Sequence, residues 1–141
     1  MYDLHYFEKE RLACIRLYGP VKGAEVQRAV GAAAVESGGD VAKVLLDYRE
    51  VSAMDVTETD GALARINTER LRATGVNVAA LKMSWVTDPA NTSVNDVLYE
   101  RIRRTSPHRV REGLGGFDSA ERSLDQALAA LGLPSDFDLP Y

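Results

Sequence analysis

Between Asp40 and Arg49 the chain reads Asp-Val-Ala-Lys-Val-Leu-Leu-Asp-Tyr-Arg, and the unbroken apolar run Val44-Leu45-Leu46 constrains the fold more than any other feature. Successive side chains of a strand point to opposite faces, so a strand that is apolar at consecutive positions is buried on both. Such a strand sits at the centre of a sheet with helices over it. The pattern places this strand at residues 41–48.

The flanking sequence supplies the layers. Residues 2–8 and 11–18 read as two strands joined by the charged turn Glu8-Lys9-Glu10, with Leu12, Cys14 and Arg16 on one face and Ala13, Ile15 and Leu17 on the other. Gly19-Pro20 is expected to end the second strand. A helix over 22–36 carries Val26, Ala29, Val30 and Ala33 at the spacing of a buried stripe, and Ser37-Gly38-Gly39 stops it. A second helix over 57–73 has a weaker stripe, with Leu63, Ile66 and Leu71 as its core candidates. A strand over 76–86 follows, then a helix over 93–104 with Val94, Val97, Leu98 and Ile102 on one face. A short strand is expected within 108–117, and a last helix over 119–131 carries Ala120, Leu124, Ala127, Leu128 and Leu131.

After the opening hairpin, strands alternate with helices. That order predicts a single-domain α/β fold, a mixed β-sheet with a parallel centre built by right-handed crossovers and packed against helices. Residues 1–133 form the expected domain and 134–141 an acidic, irregular tail. A chain of 141 residues is long enough to bury its own core without a metal or a disulfide.

Composition excludes several functions. A net charge of −4 lacks the basic footprint of a general nucleic-acid binder. Charged residues interrupt the first ten positions, so no secretory signal is read there. No run approaches the roughly 18 apolar residues of a membrane span. The protein is expected to be cytoplasmic. The single cysteine, Cys14, lies in an apolar run and reads as a buried core thiol. His5 and His108 have no paired ligand spacing, and no metal or cofactor is expected. Gly113-Leu114-Gly115-Gly116 lacks a P-loop lysine, and no serine sits in a GxSxG elbow. The chain is read as a non-enzyme.

Three local features remain. Trp85 closes a strand whose carboxyl end, in a parallel sheet, faces the usual ligand position. Lys82 in the same strand would need to reach solvent or a carboxylate, with Asp47 as a candidate partner. The basic stretch containing Arg101, Arg104 and Arg109 suits either a solvated helix end or an anionic partner.

The passage Lys43-Val44-Leu45-Leu46-Asp47-Tyr48-Arg49, the segment Val76-Asn77-Val78-Ala79-Ala80-Leu81 and the closing helix with Phe117, Asp118 and Ala120 resemble the SpoIIAA-like (STAS-like) family. The resemblance runs over nearly the whole chain. It implies a protein-interaction or regulatory module with a protein partner or a homodimer. In the anti-sigma-factor antagonists of that family, an Asp-Ser-Ser-Gly loop opens a helix and one serine is phosphorylated to switch partner binding. On that pattern Asp47 matches the strand-end aspartate, Asp55 the loop aspartate, and Val56 and Thr57 the two serines, while Glu58 stands where the pattern has glycine. From the residues alone, Thr57 reads as a helix cap, in Thr57-Glu58-Thr59-Asp60. The family's fold also resembles CRAL-TRIO lipid-transfer domains. That likeness implies the alternative of a lipid or small apolar ligand in an apolar pocket, with Trp85, Arg101, Arg104 and Arg109 as contacts.

Overall fold

A computed structural model describes residues 1–55, 60–105 and 121–141. Within these residues, four strands and four helices follow in the order β1 (Tyr2–Phe7), β2 (Leu12–Lys22), α1 (Gly23–Glu36), β3 (Lys43–Asp55), α2 (Asp60–Thr74), β4 (Lys82–Val86), α3 (Thr92–Thr105) and α4 (Leu124–Ala130). The sheet order is β1-β2-β3-β4. β1 pairs antiparallel with β2, whereas β2–β3 and β3–β4 are parallel. The α/β class with a mixed sheet and a parallel centre is therefore the observed one. The predicted strand over 108–117 lies outside the described residues.

The strand alternation sorts the core into two layers. Ala13, Ile15, Leu17, Val44, Leu46 and Tyr48 point to one face, where α1, α2 and α3 cover them. Leu12, Cys14 and Leu45 point to the other, under Ala127, Leu128 and Leu131 of α4 and its following turn. Val44, Leu45 and Leu46 are thus buried on both faces, as their run predicts. All four predicted stripe residues of α1 are buried. The helix stops at Ser37, and Gly38 and Gly39 adopt φ of 61° and 83°, with the Gly39 N–H donating to the Ala34 carbonyl. A Cβ at Gly39 would strike the Thr74 carbonyl oxygen, so this glycine also lets the C-terminal ends of α1 and α2 meet.

Several boundaries differ from the pattern. β2 continues through Gly19-Pro20 to Lys22, with register shifts between Arg16 and Tyr18 and between Gly19 and Pro20. Its antiparallel partner ends at Tyr2, opposite Leu17. Beyond that point β2 has a neighbour on one side only, so a proline there breaks no ladder. β3 likewise extends to Asp55. β4 starts at Lys82 rather than 76, because Ala80 N–H donates to Asn77 and Leu81 N–H to Val78 in a turn. Val76 and Leu81 are nonetheless buried, so their apolarity marked the core and not a strand. In α2, Leu71 is buried but Ile66 is 50% exposed. α4 begins at Leu124 because Ser123 and Gln126 close a capping box: the Gln126 N–H donates to Ser123 Oγ at 3.2 Å, and the Ser123 N–H to Gln126 Oε1 at 2.9 Å.

Candidate functional site

Among the described residues, those singled out in the sequence do not converge. Asp47 lies on the α4 face of β3 and is 2% exposed. Its carboxylate accepts from Arg49 Nε at 3.0 Å and Nη2 at 2.7 Å, from the Arg49 backbone N–H at 3.0 Å, and from the Tyr141 hydroxyl at 2.9 Å. The hydrogen bonds from Arg49 to Asp47 hold that guanidinium above its ordinary pKa. Burial first, then the Asp47 charge, pushes the Tyr141 phenol up strongly. The guanidinium of Arg16 lies 5.2 Å from the Tyr141 ring centre while pairing with Asp3 at 2.9 Å. Asp47 therefore clasps the tail. Phe137 completes the closure by meeting Phe7 edge-on at 5.3 Å.

Asp55 is exposed at the far end of β3, in register with Lys22. Eight residues of extended chain, roughly 26 Å, separate it from Asp47. Thr57 and Arg109 lie outside the described residues, as does the side chain of Arg104. Arg101 is buried on α3. Burial raises the pKa of the equally buried Tyr48, and the Arg101 charge offsets part of that rise. Trp85 is also buried, with the guanidinium of Arg122 stacked 3.7 Å from its ring centre. Arg122 further donates to Ser84 Oγ at 2.9 Å, and its backbone N–H to Thr87 Oγ1 at 2.9 Å, so it pins the residues before α4 to β4. Lys82 does not meet Asp47: it is exposed and in register with Lys43, while Asp47 faces Val86, four positions along.

A groove of about 760 Å³ lies elsewhere, between α1 and α2. Ala24, Gly31 and Ala34 of α1 give it a shallow floor, and Leu63 and Ile66 of α2 line the facing wall. Gly31 carries no side chain, and a Cβ there would stand 3.5 Å from Asn67 Oδ1, so the two helices approach closely at this level. Four large apolar residues are exposed among the described residues, and two of them, Val35 at 72% and Ile66 at 50%, line this groove. Arg28 and Arg70 stand at its margins. Sequence reasoning passed over Val35, Arg28 and Arg70. The signal available was the weak stripe of α2: a helix with too few inward apolar residues, one of which turned outward.

Among the described residues no three His, Cys, Asp or Glu side chains gather as metal ligands, and no helix is long and apolar enough to cross a membrane. Cys14 is buried, and burial together with the Asp47 charge pushes its thiol up to about 12, which leaves it protonated at neutral pH.

Fold and site define the class of this protein: a mixed-sheet α/β domain with an open apolar groove on its helical face. No protein-family model matches the chain, and no curated protein matches it. Among solved structures it is similar to the anti-sigma factor antagonist SpoIIAA in its unphosphorylated form, at 13% identity over 83% of this chain and 100% of that one, with a TM-score of 0.45. It is similar to SpoIIAA, the Bacillus cell fate determinant, in its phosphorylated form at 13% identity, over 80% of this chain and 97% of that one, with a TM-score of 0.38. A structure of Mglu is 21% identical over 57% of this chain and 18% of that one, with a TM-score of 0.34. At these identities and scores they are likenesses in the arrangement of elements, and the α/β class rests on the sheet itself.

Proposed function

We propose that this protein is a non-enzymatic, STAS-like interaction module that receives a protein partner on its helical face. The observation that supports the reading is the exposure of Val35 and Ile66 across one groove above a packed core. Leaving these two partly exposed side chains in water forgoes roughly 1–2 kcal/mol each, which a partner covering them would recover. The small-ligand alternative needs an internal cavity beneath α2 and α3. There Leu71, Val94, Leu98 and Ile102 are all buried in one cluster, which favours the interaction module.

In this reading a phosphate on Thr57, which precedes α2 in sequence, would change the charge of the segment after the exposed Asp55. Asp47 serves differently. Its carboxylate is engaged inside the protein, so it acts on the placement of the tail and not on a partner directly. Phosphopeptide mapping with a candidate kinase, and binding by the Thr57→Asp variant, tests the switch; an unmodified Thr57 and unchanged binding remove it. The docking face itself is tested by a photo-crosslinking residue at position 66 or 35. Adducts formed from both positions and lost on Leu63→Asp support it. Adducts formed equally well from a control position on α4, or from neither, would sink it.

A further inference from the structure

We infer that the α1–α2 groove is selective for an acidic amphipathic helix, one bearing two carboxylates about two turns apart on either side of an apolar patch. The inference rests on the helical-face reading and supplies the chemistry of its partner.

The charges on the groove carry it. Among the described residues, Arg28 and Arg70 are its only charged lining residues. Both are exposed and neither forms an ion pair among the described residues, although the Arg28 charge acts on Glu25 three residues before it, outside the groove lining. A chain with a net charge of −4 therefore presents a locally basic groove. The spacing of these two arginines follows from the helix register. Gly31 faces Asn67, and Gly39 faces Thr74, so α1 and α2 run in the same direction. Arg28 lies three residues before Gly31, and Arg70 three residues after Asn67. Their axial separation is then about 9 Å. Residues seven apart on a helix are separated by about 10 Å and lie on nearly one face, so two such carboxylates match the two guanidinium groups. Apolar residues three and four positions along such a helix fall between them, at the level of Gly31 and Ile66, with Leu63 and Val35 just beyond the two arginines.

Other occupants fit less well. A single-headed amphiphile has one carboxylate and answers one arginine. A second copy of this chain would need an acidic pair seven apart on a helix. Among the described helices the acidic residues are Glu25 and Glu36 on α1, Asp60 and Glu69 on α2, Asp96 and Glu100 on α3, and Asp125 on α4, and no two are so spaced.

The test is a titration of the full chain, isotope-labelled for amide NMR, with three helical peptides of about 15 residues. They share a Leu-rich face and differ only at two positions seven apart, occupied by Glu, Gln or Lys. The Glu peptide is expected to shift amides within 24–35 and 63–74 and to bind at least about tenfold more tightly than the Gln peptide, with the Lys peptide weaker still. Added salt should erode the Glu preference. In the folded double variant Arg28→Gln, Arg70→Gln, the Glu and Gln peptides should bind alike. Equal affinity of the Glu and Gln peptides for the unaltered protein overturns the acidic preference and leaves the helical-face reading standing. Absence of shifts in those amides with any peptide overturns the inference, and crosslinking from position 66 then reports whether the face binds anything. Saturable binding of decanoate there, tighter than the Glu peptide, overturns it in favour of an amphiphile. Concentration-dependent dimerisation abolished by Ile66→Asp overturns it in favour of a second copy.

Discussion

The two faces of the sheet are covered by different means. On one, α1 and α3 lay periodic apolar stripes, with Leu71 of α2 beside them, over Ile15, Leu17, Val44 and Leu46, and the closure is almost wholly hydrophobic. On the other, a helix of seven residues covers little area, and the chain after it completes the cover with Leu133, Phe137 and Leu139. Near the end of that cover a polar knot of Asp47, Arg49 and Tyr141 holds the strap. A stripe of buried carbon is tolerant of exchange among similar residues. A clasp of one carboxylate with two donors depends on each atom. The helical face therefore supplies stability and still leaves a groove for a partner, whereas the second face spends its polar groups on holding the protein's own tail.

Cutting a central side chain on each face breaks this comparison most sharply. Ile15→Ala on the helical face should cost about 3–4 kcal/mol in denaturant unfolding, from lost burial and the cavity left behind. A loss below about 1 kcal/mol would mean that the helices re-pack over the gap. On the second face, Asp47→Ala should cost about 2–3 kcal/mol, because it orphans Arg49 and Tyr141 together. The loss should appear as raised hydrogen exchange in residues 121–141 while α1 stays protected.

Alkaline pH weakens the second face through Cys14 and Tyr141, alongside the buried Tyr48 of the helical face. Cys14 is raised from 9.0 to about 12 by burial, so its contribution is full below pH 9 and lost as pH rises toward 12. Tyr141 acts in the same direction, since its phenol must stay protonated to donate to Asp47. Unfolding should ease by up to about tenfold per pH unit from Cys14 above pH 9 and further from Tyr141 above pH 10, and Cys14→Ala should reduce the slope between pH 9 and 10. A profile flat from pH 8 to 11 in the unaltered protein would contradict the buried thiol.

The Tyr141 hydroxyl alone sharpens the account. Tyr141→Phe should cost about 1 kcal/mol, and a double-mutant cycle with Asp47→Asn should give coupling of similar size. Zero coupling would assign the role of Asp47 to Arg49. The smallest effect has the opposite sign. Gly31→Ala should stabilise the protein by about 0.5–1 kcal/mol, since a Cβ there makes only ordinary contact with Asn67 at 3.5 Å and the helix gains rigidity. It also raises the groove floor, so a fall in partner binding alongside that gain would support the docking surface.

How much was legible depended on range. The central strand, the α1 stripe and the Gly38-Gly39 stop were read from residues within a few positions of one another, and local periodicity dictates them. β2 passed through Gly19-Pro20 because β1 had already ended beside it, a fact about a neighbouring strand and not about the proline. Thr57 falls outside the described residues, so its place in the site was read from sequence alone.

Local pattern thus settled the α/β alternation and which strand lies at the centre, since side-chain direction along a strand or helix follows from backbone geometry alone. It could not tell which polar residues would meet. Asp47 and Tyr141 stand 94 residues apart, and their hydrogen bond exists because the sheet and α4 bring the tail back across β3. The groove has the same origin. Arg28 and Arg70 are ordinary exposed residues on two separate helices, and their relation appears once parallel packing at Gly31 and Gly39 sets the helices side by side.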